Sequence, residues 1–315
     1  MNIIITGAGG PAGDALWRLL GHKYEVYFAD RDIKKIHPAI PKSRNLSIPS
    51  AEDPSFLAVI QSLIQKYEID LILSQVDEEL IQLKSLENID SKLLVMSPGI
   101  DFISMCLNKE SLGLELQKNR IMEPKTRILN IDSTYGEKSA ILKPATGRGS
   151  RDVFTALNEE QFYGLKRYLL GRSEKFIIQD LILGTEYTVQ MISDRFGNLS
   201  TIVPLQVIEK RGSTTQCETS YNSVVIAECI KIHELYRPTG TYNVQLVLED
   251  ALEHAHIIEI NPRVSTTMCF SLELGFDPIE IFCNNLIQAN PIIPDVSMRL
   301  DRYWENHFSK SGEKN

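Results

Sequence analysis

Residues 2–30 limit the fold more tightly than any other stretch. Asn2 to Thr6 form a short apolar run that enters Gly7-Ala8-Gly9-Gly10-Pro11-Ala12-Gly13. An apolar-periodic helix follows through Leu16, Leu19 and Leu20, and a second strand, Glu25 to Ala29, ends in Asp30. Strand, glycine turn, helix and strand make a βαβ unit, whose two strands must lie parallel. The alternation goes on with a helix from Pro54 to Tyr67, a strand at Asp70 to Ser74, a helix around Asp77 to Leu86 and a strand at Lys92 to Met96, closed by Ser97-Pro98-Gly99. Strand and helix taking turns over about a hundred residues predict a parallel sheet covered on both faces.

The glycine turn leaves two readings open. Glycines before a helix N-terminus, with an acid some twenty residues on, are what a dinucleotide site needs, and an NAD(P)-dependent oxidoreductase or epimerase would use Gly7 to Gly13 and Asp30. The spacing fits GxxGxxG better than GxGxxG, and a purely architectural turn accounts for it too. A Tyr-x-x-x-Lys pair is missing from the chain. Gln75-Val76-Asp77-Glu78-Glu79 follows the strand ending at Ser74, where open α/β sheets place ligands; a helix N-cap explains Asp77 equally well.

With 315 residues the chain is long enough for more than one core. A net charge of -8, with no long Lys/Arg run, speaks against a nucleic-acid partner. Cys106, Cys217, Cys229, Cys269 and Cys283 are odd in number and form no CxxC pair. Reduced thiols in the cytoplasm are therefore expected, rather than a zinc site or a disulfide framework. The first residues lack the basic region of a signal peptide and meet glycine too soon to span a membrane, so no membrane partner is expected. His233, His254 and His256 show no metal-ligand spacing in the sequence.

Beyond Gly99 the pattern changes. Helical segments at Phe102 to Cys106 and Lys109 to Lys118 place a domain boundary near residue 106. The strand Ser139 to Lys143 runs into Pro144-Ala145-Thr146-Gly147-Arg148-Gly149-Ser150-Arg151-Asp152-Val153, the turn of a hairpin. A glycine-rich tip with flanking cations can fold its N–H groups over phosphates, although no Walker sequence is present. A mobile hairpin tip is the alternative. Strands follow at Lys175 to Gln179, through Glu186, Thr188 and Gln190, and from Leu199 to Glu209, which ends in Lys210 and Arg211. A helix at Asn222 to Tyr236 and a strand at Tyr242 to Leu248 precede a helix at Pro278 to Ile287 and a strand at Val296 to Tyr303.

The strand that closes this series carries His256-Ile257-Ile258-Glu259-Ile260-Asn261-Pro262-Arg263-Val264-Ser265. Glu259, Asn261 and Arg263 share one face by strand periodicity, and Gln245 would face Glu259 if the two strands form a hairpin. Burying a carboxylate, an amide and a guanidinium together is unfavourable unless each meets a partner. Oxygen-ligated Mg²⁺ with nucleotide phosphates would satisfy all three; a solvated, salt-bridged strand end is the other reading.

The order of these motifs resembles the ATP-grasp superfamily, and most of all a single synthetase domain of the carbamoyl-phosphate synthase large subunit. Asn243-Val244-Gln245 with Glu259 to Ser265 carries the resemblance, supported by Lys143 to Val153 and Gln179 to Val189. The resemblance implies an α/β chain: a Rossmann-like parallel sheet domain over 1–106, then a two-lobed α+β ATP-grasp domain over 107–305, with a small lobe at about 107–178, a large lobe at about 179–305, and a polar tail at 306–315. It implies that Lys109 and Lys143 contact phosphates and that Thr146 to Ser150, with Gly147, Gly149 and Ser150, is the lid. Gln179, with the backbones of Asp180 and Ile182, would hold adenine, and Glu186 the ribose. Gln245, Glu259 and Asn261 would hold two Mg²⁺ ions, or Mn²⁺, and Arg263 would act with Lys143 on the transferring phosphoryl group. Lys210 and Arg211 are candidates for binding the acceptor carboxylate or intermediate, with a surface role as the alternative.

Two departures bear on this. Asn108 stands where an Asp often precedes the first lysine, and Arg151-Asp152 replaces the glycine that usually ends the lid. One synthetase unit, without a second copy or a glutamine-hydrolysing region, makes carbamoyl-phosphate synthesis itself unexpected. The expected function is an ATP-dependent carboxylate–amine ligase acting on small molecules, with a homodimer through the N-terminal domain by analogy. A non-catalytic nucleotide sensor on the same fold is the remaining alternative.

Overall fold

The computed structural model describes residues 1–147, 149, 151–249, 254–284, 290–303 and 306. Its first layer is built from β1 (Asn2–Thr6), α1 (Gly13–Leu20), β2 (Glu25–Asp30), β3 (Asn45–Ser47), α2 (Phe56–Tyr67), β4 (Leu71–Ser74), α3 (Leu80–Ser85) and β5 (Leu94–Val95). The strands form one parallel sheet in the order β3-β2-β1-β4-β5. Ile3, Ile4 and Ile5 are all fully buried because both faces are covered. Ile3 and Ile5 meet Leu16 and Leu20 of α1 on one face, while Ile4 meets Phe56 and Ile60 of α2 on the other.

The glycine turn is held shut by its own neighbours. Gly7 takes φ +71°, a left-handed conformation that suits glycine. A Cβ on Gly13 would stand 2.5 Å from the Ala8 carbonyl oxygen, so the helix can start this close to the strand only with glycine there. Asp30 Oδ2 accepts from Gly9 N at 2.8 Å, and Asp30 Oδ1 from Asp32 N at 2.9 Å. The acid that a dinucleotide ribose would need is thus engaged in closing the turn.

Next come α4 (Ile100–Leu107) and α5 (Lys109–Lys118). Asn108 caps α5, its Oδ1 accepting from Glu110 N at 3.0 Å and Ser111 N at 3.2 Å. An Asp would do the same at this position, so the departure at Asn108 leaves the helix start intact. Phe102, Cys106, Leu112 and Leu116 pack with Val189, Val244 and Ile260 of the later sheet. α4 thus packs on that sheet as well as on α3 of the first layer.

A four-stranded antiparallel sheet follows, formed by β6 (Thr126–Ile128), β7 (Ala140–Pro144), β8 (Phe154–Ala156) and β9 (Phe176–Asp180) in the order β6-β9-β7-β8, with α6 (Glu159–Leu169) packed on it. β7 and β8 are the expected hairpin around the glycine-rich tip. Arg148 and Ser150 of that tip lie outside the described residues.

The second large layer has six strands. β10 (Gly184–Ser193), β11 (Leu199–Arg211), β12 (Ser213–Thr219), β13 (Thr241–Glu249), β14 (His254–Asn261) and β15 (Arg299–Asp301) are arranged β14-β13-β10-β11-β12-β15, with α7 (Ser223–Tyr236) against it. β12 was absent from the sequence reading. Gly212, at φ +76°, turns β11 straight back into it. The C-terminal strand is shorter than expected, only Arg299–Asp301, and the helix expected from Pro278 is seen as α9 (Pro278–Asn284), its remaining residues lying outside those described. With α8 (Met268–Glu273), α9 returns the chain to the N-terminal sheet: Val264, Met268, Ile279 and Phe282 pack among Ile3, Ile5 and Leu16.

Candidate active site

Register assembles the polar face. Gln245 lies opposite Glu259 and Asn243 opposite Asn261 across β13 and β14, while Thr188 and Gln190 of β10 lie opposite Gln245 and Asn243. One face of three adjacent strands therefore presents Glu186, Thr188 and Gln190, then Asn243 and Gln245, then Glu259 and Asn261. The predicted pairing of Gln245 with Glu259 is what the hairpin forms.

Two lysines from outside this sheet close over its end. Lys109, the first residue of α5, donates from Nζ to the Gly147 carbonyl at 2.7 Å and lies 3.1 Å from Glu259 Oε1. Lys143 of β7 donates to the Ile258 carbonyl at 3.4 Å. Its pKa is lowered to about 8, first because burial disfavours the ammonium; Glu259 pulls it back up, and Lys109 and Lys210 push it further down. That displacement corresponds to roughly 3 kcal/mol against the charged form, a deficit that an anion beside the lysine would remove. Lys210 pairs with Glu186 and has its Nζ 3.4 Å from Gln245 Oε1.

Lys109, Lys143, Glu186, Lys210, Gln245 and Glu259 line one cleft of about 210 Å³, together with Gly147 and Arg151. A second cleft of about 370 Å³ shares Arg151, Lys210, Gln245 and Glu259 with it and continues past Gly149, Arg211, Asn261 and Arg263 to Gly7, Gly10 and Gln75 of the N-terminal domain. Gln179, Asp180 and Ile182 do not line either cleft. Gln179 is buried, donating to Thr126 Oγ1 at 2.9 Å, and Asp180 N donates to the Lys125 carbonyl.

Arg263 is oriented by the N-terminal domain. Its Nε pairs with Asp77, its Nη1 donates to the Val264 carbonyl at 3.2 Å and its Nη2 lies 3.5 Å from Asn261 Oδ1. Asp77 is not a helix cap, which corrects that reading: its carboxylate belongs to the arginine, 186 residues away in sequence. Ser265, for which the sequence offered no role, donates to Gln190 Oε1 at 3.1 Å and contacts Thr267 Oγ1 at 2.7 Å. Gln190 in turn donates to Thr241. This buried set pins the turn after Arg263 to the sheet.

The histidines also acquire places. His233 contacts Tyr242 Oη at 3.1 Å and the Gly197 carbonyl at 3.0 Å, and burial lowers its pKa. The sequence showed no ligand spacing at His254 and His256, yet the β13–β14 hairpin brings both to Glu249, the three ligand atoms lying within 4.8 Å of one another. His256 Nε2 is 3.1 Å from Glu249 Oε2, at the opposite end of β14 from Asn261. The described cysteine thiols are all free. Among the described residues no helix is long and apolar enough to cross a membrane.

This fold belongs to a known class. The profile of the ATP-grasp domain matches residues 106–267, just over half of the chain, and the protein is a member of that family. Among its relatives are the carbamoyl phosphate synthase large chains of Halomonas eurihalina, 22% identical over 182 residues, and of Helicobacter pylori strain J99, 24% identical over 245 residues. These matches cover 53% and 70% of this chain but only 17% and 22% of the relatives, so the chain spans about a fifth of their length. Among solved structures it is similar to N5-carboxyaminoimidazole synthase from Aspergillus clavatus, at TM-score 0.70 and 14% identity over 95% of this chain and 80% of that one. It is also similar to L-amino acid ligase from Bacillus licheniformis, at TM-score 0.65 and 16% identity over 85% and 68%. The fold is thus one shared with ATP-grasp ligases.

Proposed function

We propose that the protein is an ATP-dependent carboxylate–amine ligase that forms an amide through an acyl phosphate. The observation that carries this reading is the convergence of Lys109, Lys143 and Lys210 with Gln245 and Glu259 on one cleft, beside Asn261 and Arg263. Three ammonium groups around two carboxylates suit a polyphosphate, and the buried Lys143 gains most from one.

The donor set also suits a hard divalent cation. Gln245, Glu259 and Asn261 offer only oxygen, and Glu259, about a quarter exposed, reaches the cleft. These residues would hold two Mg²⁺ ions, or Mn²⁺, which when bound neutralise phosphate oxygens as Lewis acids. The protein's own contribution is positional. Lys109 and Lys143 orient the phosphates, and the loop around Gly147 and Gly149 covers them against water. Arg263, held by Asp77, faces the developing charge on the γ-phosphoryl as it passes to the acid. The amine then attacks the acyl phosphate carbon, phosphate leaves with the bonding electrons, and the amine proton is lost to solvent. We assign adenine to the segment Gln179 to Ile182 and the ribose to Glu186, which ligand binding would draw from Lys210. Lys210 and Arg211 are assigned to the acceptor side.

ADP formation measured against a panel of carboxylic acids and amines, with wild type and Glu259→Ala, tests the reading. Acid-dependent ADP release that the substitution abolishes is expected. A wild-type protein that neither binds ATP·Mg²⁺ nor releases ADP with any acid overturns it.

A further inference from the structure

The cleft of about 370 Å³ that joins the phosphoryl site to the N-terminal glycine turn has an unusual lining. Among the described residues its only apolar side chain of any size is Pro11; glycines, hydroxyl and amide residues make up most of the rest, with Arg151, Lys210, Arg211 and Arg263 and the carboxylate of Glu259. Ligand sites usually offer apolar and aromatic walls with a few polar groups. An apolar substrate here would leave the polar lining groups and these cations, three of them already paired with Glu186, Glu209 and Asp77, without new partners for the water they lose.

Buried atoms at the wall add an independent observation. Gln75, at the carboxyl end of β4, is 7% exposed, and its amide Nε2 has no hydrogen-bond partner among the described residues. Thr188 Oγ1, on the facing sheet, is likewise buried and unpartnered. Both residues line the cleft. An unmet buried donor is unfavourable by roughly 1–3 kcal/mol, so a side chain of this kind persists where something else completes it. The position of Gln75 is well fixed: Thr6 and Ser74, paired in register on β1 and β4, both donate to Glu79, which anchors the strand end from which Gln75 projects.

Resting on the ligase reading above, we infer that the acceptor is a small, oxygen-rich anion: a carboxylic acid bearing further oxygen functions such as hydroxyl, phosphate or a second carboxylate, with the Gln75 amide as a specificity-determining donor to one of those oxygens. The carboxylate to be activated lies toward Glu259 and Arg263, and the remaining oxygens lie toward Arg211 and Gln75. Apolar amino acids are disfavoured by the same lining.

Two measurements separate this inference from the reading on which it rests. Binding of D-gluconate, 6-phosphogluconate, L-glutamate, L-leucine, L-phenylalanine and butyrate is measured by thermal shift on the protein loaded with Mg²⁺ and a non-hydrolysable ATP analogue, and ADP release is measured with ATP, ammonium and each acid. The oxygen-rich acids should bind and stimulate, and the apolar ones should not. Gln75→Leu should leave the ligand-free melting point unchanged or raised, since it removes an unmet donor. The same change should raise the KM for the stimulating acid about tenfold with little effect on that for ATP. Arg211→Ala gives a second check, with the acid KM raised and the nucleotide KM kept. Preference for leucine, phenylalanine or butyrate overturns the inference and leaves the ligase standing, as does a Gln75→Leu protein of lowered melting point and unchanged acid KM. Oxygen-rich acids that bind in a Gln75-dependent way without any ADP release sink the ligase reading alone. Absence of both binding and turnover across the panel overturns both.

Discussion

Raising the pH from 7 to 9 should weaken ATP binding about tenfold, and the effect should vanish when Lys143 is replaced. In the ligand-free protein burial holds the Lys143 pKa at about 8. Its charged fraction therefore falls from about nine-tenths at pH 7 to about one-tenth at pH 9. A triphosphate beside the ammonium keeps it protonated, so binding above pH 8 must take up a proton, and affinity falls with the charged fraction by about 1.4 kcal/mol over the window. The phosphate, with a second pKa of about 6, is already ionised there and does not contribute. The sign for stability follows the same logic. A folded pKa of about 8 lies below the 10.5 of the unfolded lysine, so the folded chain holds fewer protons between them and ligand-free stability should rise with pH across that interval. Calorimetric titration with ATP·Mg²⁺ in two buffers of different ionisation enthalpy at pH 7, 8 and 9 reads both quantities. Uptake of about half a proton at pH 8 is expected for wild type. Lys143→Arg stays charged throughout and should bind with a flat pH profile, and Lys143→Met should bind weakly and equally at all three values. A wild-type affinity independent of pH, with no proton uptake, would refute the reasoning.

Other consequences follow from the same geometry. Asp77→Asn should lower kcat about tenfold while leaving ATP affinity intact, because Arg263 loses the partner that orients it; an unchanged kcat would show that Asn261 and Val264 suffice. Gly13→Ala should destabilise the fold by about 1–3 kcal/mol in urea titration, since its Cβ meets the Ala8 carbonyl. Ser265→Ala should cost about 1 kcal/mol through the buried bond to Gln190, with the melting point as readout. NAD(H) should leave the melting point unchanged where ATP·Mg²⁺ raises it, because Asp30 is already engaged at Gly9.

The parts of the fold that could be read from sequence are those in which one short-range pattern dominates. The apolar run at Ile3 to Ile5 and the glycine turn announce the parallel sheet, and the alternation around Glu259 announces a strand with a polar face. Pairing of Gln245 with Glu259 was accessible because their strands are close neighbours in sequence, so register follows from proximity. β12 was hidden because Ser213 to Thr219 mixes polar and β-branched residues that gain their order from pairing with β11 and β15, information held elsewhere in the chain. The association of Asp77 with Arg263 spans 186 residues and depends on α8 and α9 returning to the N-terminal sheet. No local signal at Asp77 could have reported it. Gln75 was visible as a residue at a strand end, but its unmet amide emerges only once the surrounding side chains are in place.

The central claim, phosphoryl transfer to a carboxylate before amide formation, is tested most directly by isotope. With the acid that gives the fastest ADP release, labelled with oxygen-18 in its carboxylate, one labelled oxygen per turnover should appear in the inorganic phosphate, because the acyl phosphate carries it away when the amine attacks. Unlabelled phosphate, or AMP and pyrophosphate in place of ADP and phosphate, would contradict the account.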